Sequence, residues 1–190
     1  MTRPPDPPSS AARRMRVFFA LWPGPAIARR LHKEGERAHV TTGGRRMRRD
    51  TLHLTLAFIG DMPRERLDAL LACADKVAFT PFALALDRIA AWRHNHIVWA
   101  GASVQPPELE SLVSQLNAVL ADAGFPVEPR KFSAHVTLLR NARGELPASE
   151  IAPPIEWPVH AFALIESDRA QDGAHYAVLK SWPAAGASGR

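Results

Sequence analysis

Residues 51–60 read TLHLTLAFIG, a run in which apolar and polar side chains alternate as they do along a half-buried β-strand. Side chains two positions apart on a strand project to the same face, so His53 and Thr55 share one face. The leucines between and beside them share the other face, which is apolar. The stretch therefore predicts a strand that buries its leucines and presents a histidine and a threonine together.

The same His-x-Thr-Leu unit returns in SAHVTLLR, residues 133–140, where His135 and Thr137 take the places of His53 and Thr55. The surroundings of the two units also nearly repeat. Each unit is preceded by a strand, a helix and a basic stretch, and the two leading strands are predicted over residues 16–21 and 96–101. Duplicated halves usually pack about a pseudo-twofold axis, so we expect the two histidines to face each other across a cleft.

Two imidazoles and two hydroxyls that converge on one point suit a phosphate group, because they donate hydrogen bonds to its oxygens. One histidine can take a proton from water while the other protonates the leaving oxygen, and a reference pKa of about 6.5 allows both roles near neutral pH. The histidines supply acid and base, so no metal and no cofactor is expected. The chain has no His-Glu-x-x-His motif, and its one cysteine, Cys73, offers no ligand set for zinc.

Basic side chains precede both histidine units, and a net charge of +5 points to an anionic partner such as a nucleotide. Arg140 would point away from the histidine face of a regular strand, because it lies five positions after His135. Phe58 and Trp92 are candidates for stacking on a base, although core packing is the preferred interpretation of each. The basic clusters suit phosphate or RNA-backbone contact; they comprise Arg45, Arg46, Arg48 and Arg49 before the first unit and Arg130 and Lys131 before the second.

The remaining pattern predicts further helices and strands. Helices are predicted over residues 26–38, 64–77 and 107–123, and strands over residues 82–86, 159–165 and 175–179. Residues 89–92 either continue the strand 82–86 or begin another. A proline-rich loop is predicted between the second histidine strand and residue 159. We expect residues 1–14 to be a disordered tail and residues 184–190 to be a mobile one. A single cysteine and the lack of a long apolar run predict a cytoplasmic protein without a membrane span or signal peptide.

The paired motifs resemble those of the two-histidine phosphoesterase superfamily, and within it those of the RNA 2′,3′-cyclic phosphodiesterases, which are also described as 2′-5′ RNA ligases. The resemblance extends over nearly the whole chain and is carried by five segments. Ala134 departs from the family pattern, which usually has proline before the second histidine. The matching segments are RVFFAL, LHLTLAFIGD, HIVWAG, GFPVEPRKFSAHVTLLR and LIESDRAQDGAHYAVL, the last through Ser167, Gly173 and Tyr176.

The resemblance implies an α+β fold, with residues 15–183 forming one bilobal phosphoesterase domain. Each of its two pseudo-symmetric lobes would have an antiparallel sheet and outer helices, with a central cleft between them. It also implies hydrolysis of a terminal 2′,3′-cyclic phosphate on RNA to a 2′-phosphate. We expect the protein to be a monomer. His135 is assigned as general base and His53 as general acid, and the pseudo-symmetry leaves the reverse assignment open. The resemblance further implies substrate contacts from Thr55, Thr137 and Arg140, to which the sequence adds Phe58 and Arg130 as candidates.

Three functions remain open from the sequence. The first is the RNA cyclic phosphodiesterase, with possible reversible 2′-5′ ligation as a side activity, since the same acid and base serve the reverse reaction. The second keeps the site but acts on small cyclic nucleotides or 2′-5′ oligonucleotides. The third is a protein that binds RNA or nucleotides without turnover. The presence of both histidines and both threonines argues against a protein that only binds.

Overall fold

A computed structural model of the chain describes residues 14–170 and 173–186. Strands and helices alternate through the first two-thirds of the chain, and three long strands complete it. The helices are α1 (Pro25–Thr42), α2 (Leu67–Ala74) and α3 (Pro107–Asp122). The strands are β1 (Arg14–Leu21), β2 (Arg45–Arg46), β3 (Leu54–Pro63), β4 (Phe82–Trp92), β5 (Ile97–Gly101), β6 (His135–Arg140), β7 (Ser149–Val159), β8 (Ala161–Ala170) and β9 (Gly173–Pro183).

The strands form two antiparallel half-sheets that touch along one short seam. The first half-sheet has the order β3-β1-β8-β9 and the second has the order β6-β5-β4-β7. They join where β3 runs beside β6, and the residue pair in register there is Leu54 with Val136. The short strand β2 pairs with β6 just beyond this seam. The predicted α+β fold with two antiparallel lobes is confirmed.

Each helix of the repeat packs on the half-sheet of the opposite lobe. Helix α1 follows β1 in the chain but packs against β5, β6 and β7, whereas α3 follows β5 but packs against β3 and α2. Gly35 of α1 faces Leu138 of β6, and a Cβ placed at Gly35 would meet the Leu138 Cβ at the ordinary contact distance of 3.5 Å. The exchange buries one continuous core between the lobes, with Leu31 of α1 and Leu112 of α3 fully enclosed.

The pattern of burial explains where α1 forms. In α1, proline occupies the first turn, where its missing N–H costs nothing, and the buried positions recur every three or four residues. Helix α1 continues to Thr42, four residues beyond the prediction, where the Thr42 hydroxyl donates to the Ala38 carbonyl at 2.9 Å. Gly43, with φ of 61°, then ends the helix.

Two other predicted elements differ from the structure. The helix expected over residues 64–77 is a 3-10 turn, Arg64–Arg66, followed by the short α2. The loop expected before residue 159 is largely the strand β7, and that prediction was wrong. Prolines can occupy β7 because it is an edge strand of the described sheet and pairs there with β4 alone, so its outer N–H groups have no ladder partner in that sheet.

The chain ends also differ from the prediction where the structure describes them. Arg14 begins β1 and is not part of a tail, while the rest of the predicted disordered tail lies outside the described residues. Ala184 is buried and its N–H donates to the His160 carbonyl at 2.7 Å. The Ala185 N–H donates to the Phe79 carbonyl at 2.8 Å, so packing extends past β9. Among the described residues, no helix has both the length and the apolar character needed to cross a membrane.

Gly44 seats the basic strand β2 against β6. Its φ is +87°, and a Cβ placed there would lie 2.7 Å from the Arg140 carbonyl oxygen and 2.8 Å from the Ala142 nitrogen. We expect Gly44→Ala to lower the free energy of unfolding by about 3 kcal/mol, from backbone strain and overpacking together. Urea unfolding measures this change. Gly24→Ala is the matched control, because no atom lies within 4 Å of its Cβ position, and an equal loss in that variant would contradict the explanation.

Candidate active site

A β-bulge in β6 turns Arg140 toward the histidine face. Thr137 pairs with Trp99 and Leu139 pairs with Val98, so β6 advances two residues while β5 advances one. The extra residue shifts the alternation, and Leu138 and Leu139 are both buried in succession. Arg140 therefore projects to the same side as His135 and Thr137, contrary to the expectation from a regular strand. Bulges commonly re-aim a side chain in this way beside functional sites.

The same irregularity occurs at the equivalent place in β3. Thr55 pairs with Ala20 and Ala57 pairs with Phe19, which leaves Leu56 as the extra residue. The next side chain on the histidine face is Phe58, which is 44% exposed. The preferred interpretation of Phe58 as a core residue was therefore wrong. Phe58 and Arg140 hold corresponding positions in the two halves, each five residues after its histidine.

The pairing of Leu54 with Val136 brings the two His-x-Thr units together. Continuing this antiparallel register by one residue in each direction places His53 opposite Thr137 and Thr55 opposite His135. Directly opposed side chains have Cβ atoms about 5 Å apart, and diagonal neighbours such as the two histidines lie about 7–8 Å apart. The four side chains are half-buried on one face, while the leucine and valine between them are fully buried on the other. A phosphate group fits between the histidines at this separation.

The backbone fixes the orientation of both imidazole rings in the same way. Nδ1–H of His53 donates to the Thr51 carbonyl at 2.8 Å, and Nδ1–H of His135 donates to the Ser133 carbonyl at 2.8 Å. Because a carbonyl can only accept, each Nδ1 carries a proton and Nε2 is the basic nitrogen of the neutral ring. Each Nε2 can therefore accept a proton, or donate one once it is protonated.

Aromatic rings enclose His53 more fully than His135. Trp22 stacks on the His53 ring at 5.4 Å between centroids and 4° between planes, and Phe18 and Tyr176 approach at 4.8 and 5.2 Å. His135 has one close aromatic neighbour in the described structure, Trp92, whose ring meets it edge-on at 4.6 Å. The contacts of Phe18, Trp22 and Tyr176 with His53 were not predicted from the sequence. The alternation of side chains along an extended strand could have indicated part of this arrangement, since Phe18 and Trp22 lie an even number of residues apart and project to one face.

Burial holds both histidines in the neutral form. It lowers the pKa of His53 to about 4, with smaller contributions from the charge of Arg140 and from His135 when that ring is protonated, while the hydrogen bond to the Thr51 carbonyl acts in the opposite direction. Burial also lowers the pKa of His135, aided by the charge of Arg140 and opposed by the hydrogen bond to Ser133. Both rings are therefore neutral in the free protein at pH 7.

The cleft contains two adjoining basins that share Thr55 and Phe58. The first basin has a volume of about 580 Å³, and the second has a volume of about 430 Å³. The first is basic, and its lining includes His53, Arg16, Arg45, Arg46, Arg48 and Arg140. The second contains His135, Trp92, Asn95, Asn117, Arg130 and Phe132.

The structure places the remaining candidates as follows. Arg130 is exposed in the second basin, and its Nε donates to the Glu128 carboxylate at 3.0 Å. Trp92 lies in the same basin, where it packs on His135 and also contacts Trp99. In residues 14–170 and 173–186, no three His, Cys, Asp or Glu side chains are grouped as metal ligands are.

The half-buried, neutral His53 gives a prediction about acid stability. Its pKa is about 4 in the folded protein and about 6.5 in an unfolded chain, so the unfolded state binds more protons between these values. Stability is therefore lost as the pH falls through this window, and His53 accounts for about 2 kcal/mol of the loss between pH 7 and pH 4.5. We expect the free energy of unfolding of His53→Asn, measured by urea unfolding, to fall correspondingly less between pH 7 and pH 4.5. His160→Asn, at an exposed position, should behave as wild type; an identical pH dependence in all three proteins would contradict the prediction.

The chain is similar in sequence and in fold to known phosphoesterases. Residues 22–99 match the family model described as LigT like phosphoesterase. The chain is 34% identical to the RNA 2′,3′-cyclic phosphodiesterase of Escherichia coli, over 88% of this chain and 95% of the relative, and 28% identical to that of Thermus thermophilus, over 93% of each. The crystal structure of E. coli LigT complexed with 3′-AMP superposes with a TM-score of 0.85 at 29% identity, covering 91% of this chain and 99% of that one.

Proposed function

The chain belongs to the LigT-like phosphoesterase family, and from that premise we propose that it hydrolyses a terminal 2′,3′-cyclic phosphate on RNA to a 2′-phosphate. The observation that carries the proposal is the convergence of two His-x-Thr units on one sheet face, with Arg140 turned toward them by a bulge. Acid, base and phosphate ligands are then all supplied by side chains of the protein itself.

The threonines and Arg140 hold the phosphate in this proposal. The hydroxyls of Thr55 and Thr137 donate to the non-bridging oxygens from opposite sides, because each lies across from the other unit's histidine. The Arg140 guanidinium offsets the single negative charge of the cyclic diester. The strands β3 and β6 set the backbone positions of these donors, which then stabilise the charge that develops on the phosphoryl oxygens in the transition state.

We assign His53 as general acid and His135 as general base. Phosphoryl transfer requires the attacking and leaving oxygens to lie roughly in line, so acid and base act on opposite sides of phosphorus. The first basin suits the nucleoside, because it combines arginines with the exposed ring of Phe58, and His53 is the histidine on that side. Water then approaches from the second basin, where His135 lies.

The proton balance follows from this assignment. His135 Nε2 takes a proton from water as the oxygen–phosphorus bond forms, and His53 Nε2 gives a proton to the ribose 3′ oxygen as its bond to phosphorus breaks. His53 is neutral in the free protein, so it acquires its proton when the anionic substrate binds and raises its pKa. Proton exchange with solvent then returns His135 and His53 to their starting protonation states. In 2′-5′ ligation, an RNA 5′-hydroxyl takes the place of the water.

Two further side chains have supporting roles in the proposal. Phe58 stacks on the terminal base, since it is exposed between the basins and the Arg16 guanidinium lies 4.6 Å from its ring centroid. Arg130 contributes charge to the second basin, weakened by its ion pair with Glu128. We also propose that the protein acts as a cytoplasmic monomer. One chain supplies every residue of the site, and Cys73 is a buried free thiol, which fits a reducing compartment.

The test is hydrolysis of a short RNA that ends in a 2′,3′-cyclic phosphate, with EDTA present and the products resolved as 2′- or 3′-phosphate. We expect metal-independent turnover to the 2′-phosphate. A folded wild-type protein that binds this RNA without turning it over would support a binding protein instead. Turnover of cyclic mononucleotides or 2′-5′ oligonucleotides but not of RNA ends would support the second candidate function.

A further inference from the structure

Two arginines face each other across the β2–β6 pair at the edge of the first basin. Arg45 is the register partner of Arg140, and both side chains are exposed and line that basin. Like charges directly opposite each other in an antiparallel pair are destabilising. An anion bound between them or beside them would remove this repulsion, so the arrangement points to a negatively charged ligand.

The other arginines of the basin are already paired with carboxylates. Arg16 pairs with Asp61 at 3.1 Å, Arg46 with Glu36 at 3.3 Å and Arg48 with Asp50 at 3.1 Å. Within the described part of the chain, no carboxylate forms an ion pair with Arg45 or Arg140, so the basin holds two uncompensated guanidinium groups.

One cyclic phosphate does not account for both charges. The cyclic diester carries a single negative charge, and Arg140 offsets it because the bulge places Arg140 on the face of the catalytic histidines. Arg45 lies one cross-strand step farther from the histidines, on a strand that the close approach at Gly44 holds in place. Arg45 is therefore available to a second anionic group of the substrate.

We propose that Arg45 binds the phosphodiester that joins the terminal nucleotide to its 5′ neighbour. The cleft would then recognise the end of an RNA chain in preference to a free cyclic mononucleotide, which lacks that group. Arginine suits this contact because its planar fork donates two parallel hydrogen bonds to a phosphate. The inference rests on the proposed function, since it assigns the second phosphate of the same substrate.

The experiment compares kcat/KM for adenosine 2′,3′-cyclic phosphate with kcat/KM for the dinucleotide ApA that ends in a 2′,3′-cyclic phosphate. We expect Arg45→Ala to lower the dinucleotide value roughly 10- to 100-fold, as loss of charge-assisted hydrogen bonds does, and to change the mononucleotide value by less than about 3-fold. The kcat/KM of Arg45→Lys on the dinucleotide should lie between the values of wild type and Arg45→Ala, because lysine keeps the charge but lacks the planar fork of donors. Arg49→Ala is the matched control: it removes one charge from the same basic stretch at an exposed position outside the basin.

A dinucleotide with a neutral methylphosphonate in place of the internucleotide phosphate removes the same contact from the side of the substrate. On this substrate, the kcat/KM of wild type should fall by the same factor as the Arg45→Ala substitution causes on the natural dinucleotide. The kcat/KM of Arg45→Ala should be the same on both dinucleotides. Equal losses on mononucleotide and dinucleotide, an equal loss in Arg49→Ala, or no loss at all would overturn the inference. If wild type turns over neither substrate, the proposed function fails, and calorimetric binding of ApA 2′-phosphate against 2′-AMP then decides the role of Arg45 on the same criterion.

Discussion

His53→Asn and His135→Asn are each expected to lower kcat for the cyclic phosphate by about 10²–10⁴-fold, the range that general acid or general base catalysis supplies. Asparagine retains an N–H that can reach the carbonyl that Nδ1 now contacts, at Thr51 or Ser133. It lacks any atom that can take the place of Nε2 in proton transfer. The loss therefore measures proton transfer more than the packing of the ring. Steady-state hydrolysis of an RNA with a cyclic phosphate end, in EDTA, measures it.

The double variant sharpens this expectation. Acid and base act in one transition state, so His53→Asn combined with His135→Asn should be little slower than the slower single variant. His160→Asn provides the control for a histidine outside the cleft, and it should keep wild-type activity. Near-wild-type turnover by either single variant, with the fold intact, would remove that histidine from the mechanism.

The local sequence predicted the repeated unit and the chemistry that follows from it, because period-2 alternation and the His-x-Thr spacing are properties of one strand. The direction of Arg140 and the exposure of Phe58 could not be predicted in this way. A bulge is defined by the partner strand, and side chains alternate strictly between faces only where the pairing is regular. The extra residues, Leu138 and Leu56, are visible only once β5 and β1 are aligned beside them.

The aromatic surroundings of His53 illustrate the same limit over a longer range. Trp22 directly follows β1 and Tyr176 lies on β9, near the other end of the chain, and the order of strands in the first half-sheet brings both to the ring. The packing of α1 and α3 on the opposite lobes also could not be predicted from the sequence, because amphipathic spacing identifies the buried face of a helix but not the sheet that covers it. What the repeat did supply was the expectation that two equivalent half-sites meet.

The assignment of His53 as acid leads to the second large effect, on a substrate whose ribose 3′ oxygen is replaced by sulfur. A thiol has a pKa of about 8.5, so sulfur leaves as a thiolate without needing a proton from the enzyme. We expect His53→Asn to hydrolyse this cyclic phosphorothiolate within about 10-fold of wild type, while His135→Asn remains slower by about 10²–10⁴-fold because the water still needs a base. The released thiol, followed with a thiol reagent, gives both rates. Rescue of His135→Asn in place of His53→Asn would reverse the two roles, and rescue of both or of neither would contradict a division of labour between acid and base. The result also tests the in-line argument, since only a nucleoside bound in the first basin places its 3′ position beside His53.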